Sequence, residues 1–198
     1  MQEGRARLVT AMICAMTMQY SPSIQVAQQA HWAGRMLMLT GLGSLLALAV
    51  ALIAQHAFGV EPCAWCVIQR MAVILVAVVS IVAILMARVL PRAAPAVGAA
   101  LVAGLSAGGA VAAWHQHTVA AKQLSCAFTW ADRTLLDLQF DAIWPSLFRV
   151  GATCADAAQS TLLGLPFEVW SGLWFVLCAL AAGAALHRLT LRQRHLFR

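Results

Sequence analysis

Cys63-Ala64-Trp65-Cys66 places two cysteines in a C-x-x-C arrangement directly ahead of a long apolar run, with Pro62 before them and Arg70 one helical turn beyond Cys66. Cys126 and Cys154 lie in the one long polar stretch of the chain. Cysteines in such pairs either exchange disulfides or hold a metal. A C-x-x-C pair at a helix start favours the first, because the helix N-terminus carries roughly half a positive charge and its free N–H groups stabilise a thiolate. The spacing therefore predicts a reactive thiolate at Cys66. Arg70, on the same helix face, is placed to support that thiolate or an anionic form of a bound ring. An arginine at membrane depth is costly and is seldom without a role, although its long stem also allows it simply to reach the interface.

The elements that carry these residues follow from composition. The 198 residues are 62% hydrophobic and only 10% charged, with mean hydropathy +0.81. A soluble domain has about 25% charged residues. Runs at Gly34–His56, Val67–Val89, Ala94–Trp114 and Pro166–His187 are each long enough to cross about 30 Å of hydrocarbon as a helix. Backbone polar groups in lipid need internal partners, so the expected fold is an all-α integral membrane bundle of four transmembrane helices. The boundaries divide the chain into an N-terminal extension, 1–33, and a membrane domain, 34–198, with loops at 57–66 and 115–165.

Charge orients this bundle. Arg5, Arg7, Arg35, Arg88, Arg92 and the arginines of 188–198 fall on one side, with Glu3 as the only acid there. The excess predicts a cytoplasmic side that holds both termini. The four paired cysteines then face the outer compartment, where disulfides persist. A net charge of +6 is thus a matter of topology, not of nucleic-acid binding. At the start of the chain, Arg5 and Arg7 precede a short apolar run, Leu8–Met18, and a polar stretch, Gln19–Gln29. That order resembles a signal peptide, but cleavage would conflict with the placement of Arg35, so a cytoplasmic or interfacial extension is expected.

In the third span, Ala100, Gly104 and Gly108 recur at helical spacing, which predicts a close-packed helix face, with a groove for a quinone or lipid as the alternative. In the polar stretch, Leu135–Val150 mixes aromatics with Asp137, Asp141 and Arg149, as in an amphipathic segment lying on a membrane, broken at Pro145. Such a loop would be mobile enough for its disulfide to exchange with a large partner. Metal binding by the four cysteines fits less well, since a structural zinc draws on two close pairs and here only one pair is close. Cys14 and Cys178 read as small buried hydrophobes. His56, His115 and His117 end spans on the outer side, where they could carry protons or meet ring oxygens.

These residues together resemble the DsbB family of bacterial disulfide-forming quinone reductases, from about His31 to the C-terminus. The resemblance rests on Gln55-His56, Pro62-Cys63-x-x-Cys66-x-x-x-Arg70, His117-Thr118 ahead of Cys126, Leu163-Gly164-Leu165 followed by Trp170, and the tail Arg194-His195-Leu196-Phe197-Arg198. It implies a multi-pass protein of the bacterial inner membrane with periplasmic redox cysteines. A reduced periplasmic thioredoxin-like oxidase of the DsbA type would attack Cys126, Cys154 would pair transiently with Cys63, and Cys66 would deliver electrons to ubiquinone or menaquinone. Arg70 and His117 are the implied quinone-binding residues, and no metal is implied. For DsbA itself the potential is known, about −120 mV, so strong an oxidant that a thiol pair alone would struggle to regenerate it.

Family members commonly carry an aromatic residue soon after the last loop cysteine, whereas Ala155–Thr161 has none. Trp65, Trp170 or Trp174 is the expected substitute in the pocket wall. Two other readings of the same residues are a DsbI-type paralogue serving one dedicated partner and a membrane protein that handles metal through its cysteines.

Overall fold

The computed structural model describes residues 22–91, 93–122 and 129–196. Helix α1 runs Pro22–Phe58, α2 Ala64–Met86 and α3 Ala93–Thr118, continued by a 3-10 turn at Ala120–Lys122; the last helix, α8, runs Phe167–Leu196. Stretches within all four are long and apolar enough to cross a membrane, namely His31–Phe58, Ala64–Met86, Ala93–Lys122 and Phe167–Thr190. The chain is thus a four-helix membrane bundle, as its hydropathy predicts. The helices overrun the apolar runs at several ends. α1 begins at Pro22, where a missing N–H costs nothing at a first helical position. α2 begins early enough to include Trp65 and Cys66, and α3 continues through His115 and His117.

The helices close into a ring in which α1 touches α2 and α8, and α3 touches α2 and α8. Its interior is lined by Leu37, Val76, Ala83, Val102, Phe175 and Ala182. Leu39, Leu42, Val82 and Leu180 face outward, as lipid requires. Without a hydrophobic drive between helices in lipid, small and hydroxyl side chains make the contacts. The Thr40 and Ser80 hydroxyls meet at 3.4 Å, and Trp174 Nε1 donates to Ser44 Oγ at 3.2 Å. At the end away from the cysteine pair, the Arg188 guanidinium lies 4.1 Å over the Trp32 ring and joins α8 to α1.

The expectation for Ala100, Gly104 and Gly108 needs correction. All three are exposed, and a Cβ added at Gly104 or Gly108 would meet nothing. The packed face of α3 is turned away from them and carries Gly98, Val102, Ser106, Gly109 and Ala113. A Cβ at Gly98 would collide with Ala83 of α2, and one at Gly109 with the Phe175 ring of α8. Repeated small residues do not reveal which side of a helix has neighbours.

The long loop is folded into short pieces: α4 Trp130–Leu138, α5 Phe140–Ile143, α6 Pro145–Phe148, α7 Cys154–Ala157 and a hairpin of β1 Thr161–Leu162 with β2 Leu165–Pro166. A capping box starts α4, with Thr129 N donating to Asp132 Oδ2 at 2.9 Å and Asp132 N to Thr129 Oγ1 at 3.4 Å. The amphipathic segment is therefore not continuous. It breaks at Gln139, in the left-handed region at φ 49°, and again at Trp144 ahead of Pro145. Leu163 and Gly164, at φ 54° and 82°, form the two-residue hairpin turn that delivers the chain to α8.

Candidate functional site

Pro62 has no N–H to donate, and the extended conformation of Cys63 (φ −87°, ψ 172°) turns the chain into α2, putting Cys63 at the N-cap and Cys66 in the first turn. Cys63 Sγ and Cys66 Sγ are 3.1 Å apart, both as free thiols. Cys63 is fully buried. Cys154, at the start of α7, packs against the cluster that holds Cys63. The neighbouring Cys63 thiol pulls Cys154 below its ordinary range, while Cys154, Cys66 and burial together push Cys63 well above its own. Of these two, Cys63 keeps its proton and Cys154 is the readier thiolate. Three of the four cysteines singled out in the sequence thus meet in one cluster; Cys126 lies outside the described residues, as does Cys14. Cys178 is buried in α8, apart from the cluster.

Cys66 also forms part of the wall of a cleft of about 370 Å³ between α1, α2 and α8. Its sides are apolar, with Leu46, Val50, Ala54, Val73, Phe167 and Trp174 among them, and its polar groups are Gln69, Arg70, Glu61, Glu168 and Ser171. The shape and lining are those of a small-molecule site, mostly apolar with a few convergent polar groups. Phe167, Trp170 and Trp174 supply the aromatic wall. Trp65 does not: its ring stacks on His115 at 4.6 Å and lies 6.0 Å from Trp130, on the loop side of the motif.

Arg70 is only 7% exposed, and its Nη1 donates to Gln55 Oε1 at 2.8 Å and to the Leu147 carbonyl at 2.6 Å. It is held inward by α1 and by the loop. His56 at the end of α1 makes a related link, Nε2 to the Ser146 carbonyl at 3.2 Å. His117 is not among the cleft-lining residues. Its imidazole is half exposed, with Nδ1 3.2 Å from Oε1 of the buried Glu168, so it reaches the cleft only through that carboxylate.

Several residues at the site were not identified from the sequence. Gln116 Nε2 donates to Cys66 Sγ at 3.1 Å, Gln69 Nε2 donates to Gln116 Oε1 at 2.6 Å, and the Ser171 hydroxyl bonds to Gln69 Oε1. Gln69 and Gln116 are 4% and 0% exposed. Polar side chains inside membrane spans were the available signal, since each must find a partner there.

A closed membrane bundle that buries a close dithiol against an apolar cleft, with a third thiol packed against it from a loop, defines a membrane thiol–disulfide protein. Comparison with known proteins agrees. The model of the family described as "Disulfide bond formation protein DsbB" matches residues 33–185. A disulfide bond formation protein B of Herminiimonas arsenicoxydans is 34% identical over 145 residues, covering 73% of this chain and 89% of that protein. Disulfide bond formation protein B 1 of Pseudomonas putida is 32% identical, covering 78% and 90%. The protein B of Burkholderia thailandensis is 32% identical, covering 80% and 92%. No solved structure gives a significant match. The chain belongs to the DsbB family, and it is a multi-pass membrane disulfide oxidoreductase.

Proposed function

We propose that the protein reoxidises a periplasmic DsbA-type dithiol oxidase by thiol–disulfide exchange and passes the electrons to a membrane quinone. The observation that carries this is the position of Cys66. Its sulfur is 3.1 Å from Cys63 Sγ on one side and lines the apolar cleft on the other. Exchange requires a thiolate attacker and a reachable sulfur. Cys154, with its lowered titration and its packing against the Cys63 cluster, supports the step that would join the loop cysteines to the C-x-x-C pair. Cys126 is proposed as the first contact with the soluble oxidase, on sequence grounds alone.

The cleft residues fit a quinone head: aromatic and aliphatic walls suit a flat ring, and Arg70, Gln69 and Ser171 can meet its oxygens. When bound, the quinone supplies a two-electron acceptor at the potential that a DsbA-type oxidase demands. Arg70 has both of its hydrogen bonds among the described residues on Nη1, which leaves Nη2 and Nε for a ligand. Glu168 holds His117 in place, and this pair can bring a proton from the exposed rim to the cleft. The arginine distribution supports cytoplasmic termini and periplasmic cysteines in the inner membrane.

The test is quinone reduction by the purified protein in detergent, driven by reduced DsbA and followed by loss of quinone absorbance. Turnover that is lost in Cys66→Ser is the expected result. Turnover that survives this substitution would refute the electron path.

A further inference from the structure

Ser171 has one hydroxyl proton and two acceptors within reach, Gln69 Oε1 and the backbone carbonyl of Glu168 at 2.9 Å. The glutamine chain beyond it is therefore complete in either of two directions. With the Ser171 proton on Gln69 Oε1, the Gln69 amide donates to Gln116 Oε1 and the Gln116 amide donates to Cys66 Sγ. With the Ser171 proton on the Glu168 carbonyl and both carboxamides turned over, every link survives reversed. Cys66 S–H then donates to Gln116 Oε1, Gln116 to Gln69 Oε1, and Gln69 to Ser171 Oγ. The first direction suits a thiolate, which can only accept; the second suits a thiol, which can donate. A carboxamide can serve either state because it presents a donor and an acceptor on one plane.

We propose that Gln116, Gln69 and Ser171 form a reversible hydrogen-bond relay whose direction follows the protonation of Cys66. Gln116 contacts the reacting sulfur, while Gln69 and Ser171 are positioning residues that act through it. Reversal turns two amides and one hydroxyl and carries no net proton, so the relay holds charge on Cys66 without titrating. It spans three helices, because Gln116 is on α3, Gln69 on α2 and Ser171 on α8, and it ends beside Glu168 in the cleft wall. The relay thus links the state of the sulfur to the far wall of the site. Both glutamines are buried, and a half-satisfied network would be costly there, which favours switching as a unit.

Other ionisable groups near Cys66 are Cys63 and Cys154 toward the loop, Arg70 on its own helix, Glu61 and Glu168 in the cleft wall, and His115 of α3 against Trp65. None of these contacts the relay amides in the hydrogen bonds described.

The inference rests on Cys66 being the sulfur at the acceptor site, and the experiment separates the two ideas because it needs no quinone. Reduced full-length protein carrying Cys126→Ser and Cys154→Ser, with ¹⁵N-labelled glutamine, is titrated in detergent and followed by side-chain amide NMR. Gln69→Leu and Gln116→Leu assign the signals. The signals of Gln116 and also of Gln69, which does not touch Cys66, are expected to move together at the Cys66 midpoint and to stay fixed in Cys66→Ser. Fixed Gln69 signals through the Cys66 transition overturn the relay. In parallel, Gln116→Leu removes the donor at the sulfur, and the pH profile of Cys66 alkylation is expected to move up by about one unit, or about tenfold in rate below the midpoint. An unmoved profile overturns the role of Gln116. Either failure leaves DsbA-driven quinone reduction to be judged separately.

Discussion

The backbone N–H of Gly151 donates to the carbonyl of Pro62 at 3.0 Å, so the loop that carries Cys154 is tied to the residue immediately before Cys63. Ala152 N–H shares the same acceptor at 3.3 Å. The closeness of Cys154 to the C-x-x-C pair thus depends on backbone bonds made by its neighbours in the loop. Arg70 and His56 add two more ties, to the Leu147 and Ser146 carbonyls of the same loop.

Gly151 N–H makes the shorter of the two bonds to Pro62. Gly151→Pro removes that donor and is expected to displace the loop at Pro62. A shift of about 1 Å can cost as much as about 100-fold in rate, so formation of the Cys63–Cys154 disulfide should slow by about 10- to 100-fold. The rate is read by mass spectrometry after oxidised glutathione is added to the reduced protein in a Cys66→Ser, Cys126→Ser background, the two electrons leaving on two molecules of glutathione. An unchanged rate would show that this tie does not position Cys154.

Cys154 titrates below its ordinary value of 9.0 because Cys63 donates to it, while Cys63 is held above 9.0. In reduced protein near neutral pH, Cys154 should therefore alkylate faster than an ordinary cysteine of equal exposure. Cys63→Ala removes the donor, so Cys154 titrates higher and its alkylation slows at neutral pH. Well above pH 9 both proteins carry the thiolate, and the difference should vanish. Cys63→Ser retains a donor and should restore part of the neutral-pH rate.

Arg70→Met removes two bonds to α1 and the loop, as well as the charge in the cleft. The apparent KM for quinone is expected to rise by about tenfold, taking the loss of a bond to a charged group as about 1.5 kcal/mol. A normal KM would indicate that the guanidinium serves only to fasten the loop. Gln55→Leu, which keeps the charge and loses one anchor, should give a smaller rise.

Packing of α3 can be tested through its glycines. Gly98→Val and Gly109→Val drive side chains into Ala83 and Phe175, and each should destabilise the bundle by about 1–3 kcal/mol. Gly104→Ala and Gly108→Ala extend into open space and should be neutral or slightly stabilising, given the cost of about 0.5–1 kcal/mol for glycine inside a helix. Thermal unfolding in detergent orders the four variants. The reverse order would place Ala100, Gly104 and Gly108 at a helix interface.

Hydropathy alone determined the four spans, because each helix needs an unbroken apolar run to satisfy its backbone in lipid, and that property is local. The C-x-x-C pair, its place at a helix start and the position of Arg70 one turn on were likewise legible, since a few adjacent residues define them. Helix rotation decided the rest. It put Gly98 and Gly109 at the contacts instead of Ala100, Gly104 and Gly108, and it sent Trp65 toward the loop while Trp170 and Trp174 walled the cleft. It also brought Gln69, Gln116 and Ser171 from separate helices into one chain of hydrogen bonds that ends on Cys66. Residues so far apart in the chain have no common spacing by which to be recognised. What joins them is that a buried polar group must find its partner across whichever helices enclose it, and only the tertiary structure says which those are.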